Sequence, residues 1–170
     1  MPNLVIGFST PKKFHHFSWL ISTICKTKYS HSYIKLTSES IGRDLIYQAS
    51  GFKVNFIGSK SFYEQNTVCI EYTLQITEEQ KVKLLQKAID LCGSSYSLKE
   101  VFGLLLVKVV RVVFSKHINN PFNDEAKWFC AELVGELLTD LGILNLDKAH
   151  LSNLEPKDIA DLLAGITING

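Results

Sequence analysis

The sequence predicts an α+β fold, an antiparallel β-meander packed against helices. Three observations predict it. Segments rich in strand formers cluster between residues 31 and 74, and apolar residues at three- and four-residue steps dominate from residue 77 onward. In addition, a cysteine stands at the head of a buried helical segment near residue 130.

Taken in order, Leu4-Val5-Ile6-Gly7-Phe8 has the character of a short buried strand, followed by the turn-prone Ser9-Thr10-Pro11. Phe17, Leu20, Ile21 and Ile24 then fall at helical spacing and predict a helix over residues 15–25. Residues 31–37 and 43–49 read as strands joined through Ser38-Glu39-Ser40-Ile41-Gly42, and residues 52–57 as a third after the Ser50-Gly51 turn. A short segment around Phe62 and Tyr63 separates these from a fourth strand over residues 68–74.

Thr77-Glu78-Glu79-Gln80 supplies a capping residue and early acids for a helix continued by Val82, Leu84, Leu85, Ala88, Ile89 and Leu91 and ended by Cys92-Gly93. Residues 104–114 are strongly apolar but interrupted by Lys108 and Arg111, and fall short of the about 20 apolar residues of a membrane span. A buried helix is the first reading. An amphipathic surface that meets a membrane or a protein partner is the alternative, and the β-branched content leaves a strand open near its end. Leu133, Val134, Leu137, Leu138 and Leu141 give one apolar face of a helix that follows Cys130, with Asn123, Asp124 and Glu125 as capping candidates and Gly142 as its stop. Pro156 suits the first turn of a last helix. No repeat or linker interrupts the chain, so residues 1–170 read as one domain.

Composition narrows function only by exclusion. The chain is 46% hydrophobic and 21% charged with a net charge of +1, an ordinary globular balance that argues against a dedicated polyanion binder; no nucleic-acid partner is expected. Cys25, Cys69, Cys92 and Cys130 form no C-x-x-C pair, so neither a metal site nor a disulfide framework is expected, and three of the four should act as small buried hydrophobes. No cofactor is implied. Residues 1–8 lack the charged start and the length of a signal peptide, so synthesis in a reducing cytoplasm is the expectation.

Cys130 is the exception among the cysteines. At a helix start, unpaired backbone N–H groups and the helix dipole favour thiolate over thiol. A nucleophilic thiolate also needs an imidazole held by a third group. Of the five histidines, adjacent His15 and His16 cannot share a helix face, whereas His31 opens a core strand. A turn centred on Glu39 and Ser40 sets His31 directly opposite Gln48, with Cβ atoms about 5 Å apart, close enough for the amide oxygen to accept the imidazole N–H. A one-residue change of register would put them on opposite faces. A satisfied core histidine and a buried inert thiol remain the plain structural readings of His31 and Cys130 taken singly.

Four segments together resemble a circularly permuted NlpC-type domain of the papain-like clan, in its bacterial or bacteriophage-type members. They are Tyr29-Ser30-His31-Ser32-Tyr33-Ile34, Leu45-Ile46-Tyr47-Gln48-Ala49-Ser50-Gly51, Gly93-Ser94-Ser95-Tyr96-Ser97, and Phe129-Cys130-Ala131-Glu132-Leu133 with the later Pro156-Lys157-Asp158-Ile159. The resemblance implies a papain-like half-barrel against the cysteine helix. It further implies a cysteine hydrolase, with Cys130 as nucleophile, His31 as base and Gln48 as orienting group, and Ser30 and Tyr96 as candidate substrate-binding residues. Gln48 departs from the acid or second histidine frequent in such relatives. Cleavage of a cell-wall type peptide or amide, as in bacterial peptidoglycan, is the activity the resemblance implies first. A lipid acyl hydrolase or acyltransferase, as in the lecithin–retinol acyltransferase relatives, and a non-catalytic virion or binding module are the alternatives. A phage-encoded member would act in the virion or the host cell.

Overall fold

The computed structural model describes residues 2–14, 18–19, 22–23, 26–38, 42–50, 53–96, 127–128, 130–151 and 154–168. The fold is α+β, five long antiparallel strands packed against helices. The strands are β1 (Asn3–Pro11), β2 (His31–Ser38), β3 (Arg43–Ser50), β4 (Lys53–Gly58) and β5 (Asn66–Gln75). Between β4 and β5 lies α1 (Ser59–Gln65), and after β5 comes α2 (Glu78–Leu91). Two-residue strands β6 (Ser95–Tyr96) and β7 (Lys127–Trp128) follow, then α3 (Cys130–Asp140), α4 (Lys148–Leu151) and α5 (Pro156–Ile168).

The sheet order is β5-β1-β2-β3-β4-β6-β7. The expected meander is therefore real for β2, β3 and β4 but not for the fourth predicted strand. After β4 the chain passes through α1, the segment around Phe62 and Tyr63, and β5 pairs along the whole of β1, from Asn3↔Gln75 to Pro11↔Asn66. This pairing also extends β1 through Pro11, beyond the five residues its sequence suggested. Alternation specifies which residues face the core; it carries no information on which strand lies alongside which.

The sheet presents two apolar faces of unequal size. The larger core gathers Leu4, Ile6 and Phe8 of β1, Ile34 of β2 and Tyr47 and Ala49 of β3 against Leu84 and Ala88 of α2, the buried face of α3, and Ile159 and Leu163 of α5. The smaller cluster, Tyr33, Ile46 and Phe62, lies under α1. Gly7 is required here: it pairs with Tyr33 across β1 and β2, and a Cβ at Gly7 would run into the Tyr33 ring. That ring crosses β1 so that Tyr33 Oη donates to Glu71 Oε1 at 2.8 Å, while Lys35 Nζ pairs with Glu71 Oε2 at 2.8 Å.

The helices α2 and α3 end where their sequences predict. Thr77 caps α2 in a full capping box with Gln80, and Gln80 Nε2 also donates to the Leu141 carbonyl at 2.8 Å. Lys87 of α2 pairs with Glu136 at 2.7 Å and with Asp140, both on α3. The C-terminal end of α3 is closed by Gly142, at φ +70°, with Ile143 N–H donating to the Leu138 carbonyl at 2.9 Å. Gly135 permits the side chains of Leu151 and Leu154 to press against α3. These contacts fix α3 along its length and so fix its first residue, Cys130. The predicted capping residues 123–125 and the apolar residues 104–114 lie outside the described residues, as do His15, His16 and Cys25. Among the described residues no helix is long and apolar enough to cross a membrane.

Candidate active site

His31 is the first residue of β2 and pairs with Ser9 of β1. The β2–β3 ladder runs from Ser38↔Arg43 to Ile34↔Tyr47. Continued in the same register it sets Tyr33, not His31, across from Gln48. The expected direct pairing of His31 with Gln48 is thus two residues off. Its cause is the turn: Ser38 pairs with Arg43, and Gly42 takes a left-handed φ of +59°, which centres the reversal one residue later than Glu39 and Ser40. A shift of two residues preserves the face, whereas a shift of one would have reversed it. His31 and Gln48 are therefore diagonal neighbours, about 7–8 Å apart at the backbone. The length of the glutamine side chain closes that gap, with His31 Nε2 to Gln48 Oε1 at 2.8 Å.

An amide oxygen only accepts, so His31 Nε2 carries the proton in this bond. The other partner of the imidazole is the Cys130 side chain, through a hydrogen bond and charge attraction. Cys130 is 4% exposed and begins α3, where backbone N–H groups have no partner within the helix. Burial by itself pushes the Cys130 thiol up and the His31 imidazole down. The hydrogen bond and charge attraction between them outweigh burial in both cases, leaving Cys130 below the ordinary thiol range and His31 above the ordinary imidazole range. The Ser32 backbone N–H adds to the lowering at Cys130, its hydroxyl less so, and the Gln48 hydrogen bond adds to the raising at His31. The arrangement favours a thiolate–imidazolium pair.

Two further site candidates are placed less directly. Ser30 is buried next to His31, and its N–H donates to the Ser9 carbonyl at 3.1 Å. Tyr96 lies in β6, its backbone paired with Trp128 in β7, the short strand that leads toward Cys130. Sequence reasoning missed Ser9 and Ser32, which are fully buried with Ser30 around His31. The hydroxyls of Ser9 and Ser30 make no hydrogen bond among the described residues. Adjacency to the histidine was the sequence signal for Ser32, and Ser9, on another strand, had none.

The other cysteines depart from expectation. Cys69 and Cys92 are exposed rather than buried, and partial desolvation holds both thiols above the ordinary range; Lys28 opposes this at Cys69 and a hydrogen bond from the Phe56 backbone at Cys92. Cys69 Sγ meets the Lys28 carbonyl at 3.5 Å. Among the described residues no group of three or more His, Cys, Asp or Glu side chains is placed to hold a metal ion.

Comparison of the chain with protein-family models gives no match, and comparison with the curated proteins gives none either.

Proposed function

We propose that the chain is a cysteine hydrolase of the permuted NlpC-type, papain-like kind, which cleaves an amide bond through a thioester on Cys130. The observation that carries this reading is the arrangement of Cys130, His31 and Gln48. A helix-start sulfur shares a hydrogen bond with an imidazole, whose far nitrogen is held at 2.8 Å by an amide oxygen. The chain order, with the histidine strand ahead of the cysteine helix, supports the permuted form of the fold.

In this mechanism the Cys130 thiolate attacks the carbonyl carbon, and the C=O π electrons move to oxygen. The Cys130 backbone N–H, at the start of α3, donates to that oxyanion. As the tetrahedral intermediate collapses, His31 Nδ1 gives its proton to the leaving nitrogen, and the C–N bond breaks to leave the thioester. Water then attacks the thioester while His31 takes one of its protons. The C–S bond breaks, the acid departs, and the thiolate–imidazolium pair is restored. Gln48 holds the Nε2–H throughout, so the imidazole keeps one tautomer and one direction. Cell-wall type peptides are the substrate class to test first.

The test is the pH dependence of alkylation at each cysteine of the folded protein, read by peptide mass spectrometry. Thiolate accumulates above the lowered pKa of Cys130, so Cys130 should react at a pH where Cys69 and Cys92, whose thiols are held up, are still protonated. His31→Ala should move the onset at Cys130 upward, to or beyond the ordinary value of about 8.5. Labelling of Cys130 only at alkaline pH in the unaltered protein would refute the thiolate pair.

A further inference from the structure

We infer that Lys12, Lys13, Phe14, Trp19, Lys26 and Lys28 form a docking patch for an anionic lipid surface at the His31 end of the sheet. The near-neutral charge of the whole chain conceals a polarity. The first 38 residues hold five lysines and no acidic residue; the chain has 18 basic and 17 acidic side chains, so the remainder carries 13 against 17, a net −4. Of the five, Lys35 is neutralised by Glu71. The other four are exposed, and among the described residues none of them is in an ion pair.

The four lysines belong to one excursion between β1 and β2. Its two ends are tied together at one end of the sheet: Pro11 pairs with Asn66, Lys12 N–H donates to the Gln65 carbonyl at 2.9 Å, Ser30 N–H donates to the Ser9 carbonyl, and Ser9 pairs with His31. The same excursion carries the two most exposed aromatic side chains of the described structure, Phe14 at 71% and Trp19 at 56%. Trp19 lies in helical backbone, as do Ser18, Ser22 and Thr23. Exposed large aromatics in the same excursion as exposed cations match a bilayer interface, where the ring enters the headgroup layer and the ammonium groups meet lipid phosphates.

Basic and aromatic residues together also suit single-stranded nucleic acid. The composition of the patch favours lipid. Every cation is lysine, a point charge suited to a diffuse anionic surface, and the planar arginine fork that recognises individual phosphates is missing from the patch. Docking here brings the end of the sheet that bears His31, the partner of Cys130, against the membrane. The inference goes beyond the hydrolase reading and does not depend on it.

Co-sedimentation of the full chain with vesicles tests it, using phosphatidylcholine alone and phosphatidylcholine with a one-third share of phosphatidylserine. Binding to the anionic vesicles only, weakened by added salt, is expected. Neutralising two lysines together, Lys13→Gln with Lys28→Gln, should lower partitioning about 30-fold. Trp19→Ser should lower it about tenfold, whereas Val82→Ser, on the exposed face of α2, should leave it unchanged. Equal binding to both vesicles, binding to neither, indifference to the lysine pair, or an equal loss with Val82→Ser would each overturn the proposal. So would binding of single-stranded DNA by a chain that ignores anionic vesicles.

Discussion

Cys130 and Cys92 make an instructive contrast. Cys130 is buried, the setting in which a thiol should resist ionisation, yet its pKa is lowered; Cys92 is exposed, and its pKa is raised. Cys69, exposed on β5, behaves as Cys92 does. Exposure therefore does not decide which cysteine ionises. A partner does. Burial works against the thiolate at all three positions, and only at Cys130 does a hydrogen-bonded imidazole overcome it. Desolvation then changes its role, because a charge pair once formed is screened less inside the protein than in water.

The contrast is most sharply broken by removing the sulfur. Cys130→Ala should abolish hydrolysis of any amide substrate, a loss of at least about ten-thousandfold, while the double variant Cys69→Ser with Cys92→Ser should retain full activity. The removed atom is small, and α3 is held by Lys87, Gln80 and the leucines that press on Gly135, so the circular dichroism spectrum of Cys130→Ala should match that of the unaltered chain. Unfolding of Cys130→Ala would instead mark Cys130 as a core residue.

His31→Ala makes Cys130 resemble its two counterparts. Without the imidazole only burial and the Ser32 donors remain, and burial is the larger influence. The thiolate fraction near neutral pH should collapse, and turnover should fall about a thousandfold. The sign follows from the two directions. On the proposed mechanism, activity in the unaltered chain should rise as pH passes the lowered value of Cys130 and fall as pH passes the raised value of His31, giving a bell-shaped rate profile. His31→Ala should erase the alkaline limb and leave a small rate that climbs with pH.

Much of this was legible in the residues, and what was not has identifiable causes. The strands were readable because runs of strand formers such as residues 45–49, buried on both faces, stand between turn residues, and α2 and α3 because Thr77, Gln80 and Gly142 punctuate them. Strand order was not readable, since nothing in the alternation of β5 says that it returns to β1. The His31–Gln48 contact was anticipated from the wrong register and survives because a two-residue error preserves the face and glutamine is long enough to reach diagonally. The surface cysteines were misread because cysteine is buried on average, and that average says nothing of Cys69 on an edge strand or of Cys92 at the C-terminal cap of α2. The lysine-rich start was in plain view but was averaged away in the net charge.

Gln48 carries the smallest effect on the site, and its variants refine the contrast rather than break it. In Gln48→Leu the Nε2–H of His31 loses its acceptor in a largely buried position, which costs about 1–3 kcal/mol of stability. The imidazole also becomes free to choose its tautomer, and turnover should fall by about tenfold to a hundredfold, less than on removal of the base. Gln48→Glu acts in the opposite sense on the charge pair. A carboxylate at the same reach stabilises imidazolium, raising His31 further and carrying the alkaline limb of the rate profile to higher pH. The Cys130 alkylation onset should move downward in step, because a more persistent imidazolium holds the thiolate more firmly. An onset that stays fixed while the alkaline limb moves would mean that Gln48 acts on His31 alone, and that the two ionisations are less tightly linked than their shared hydrogen bond implies.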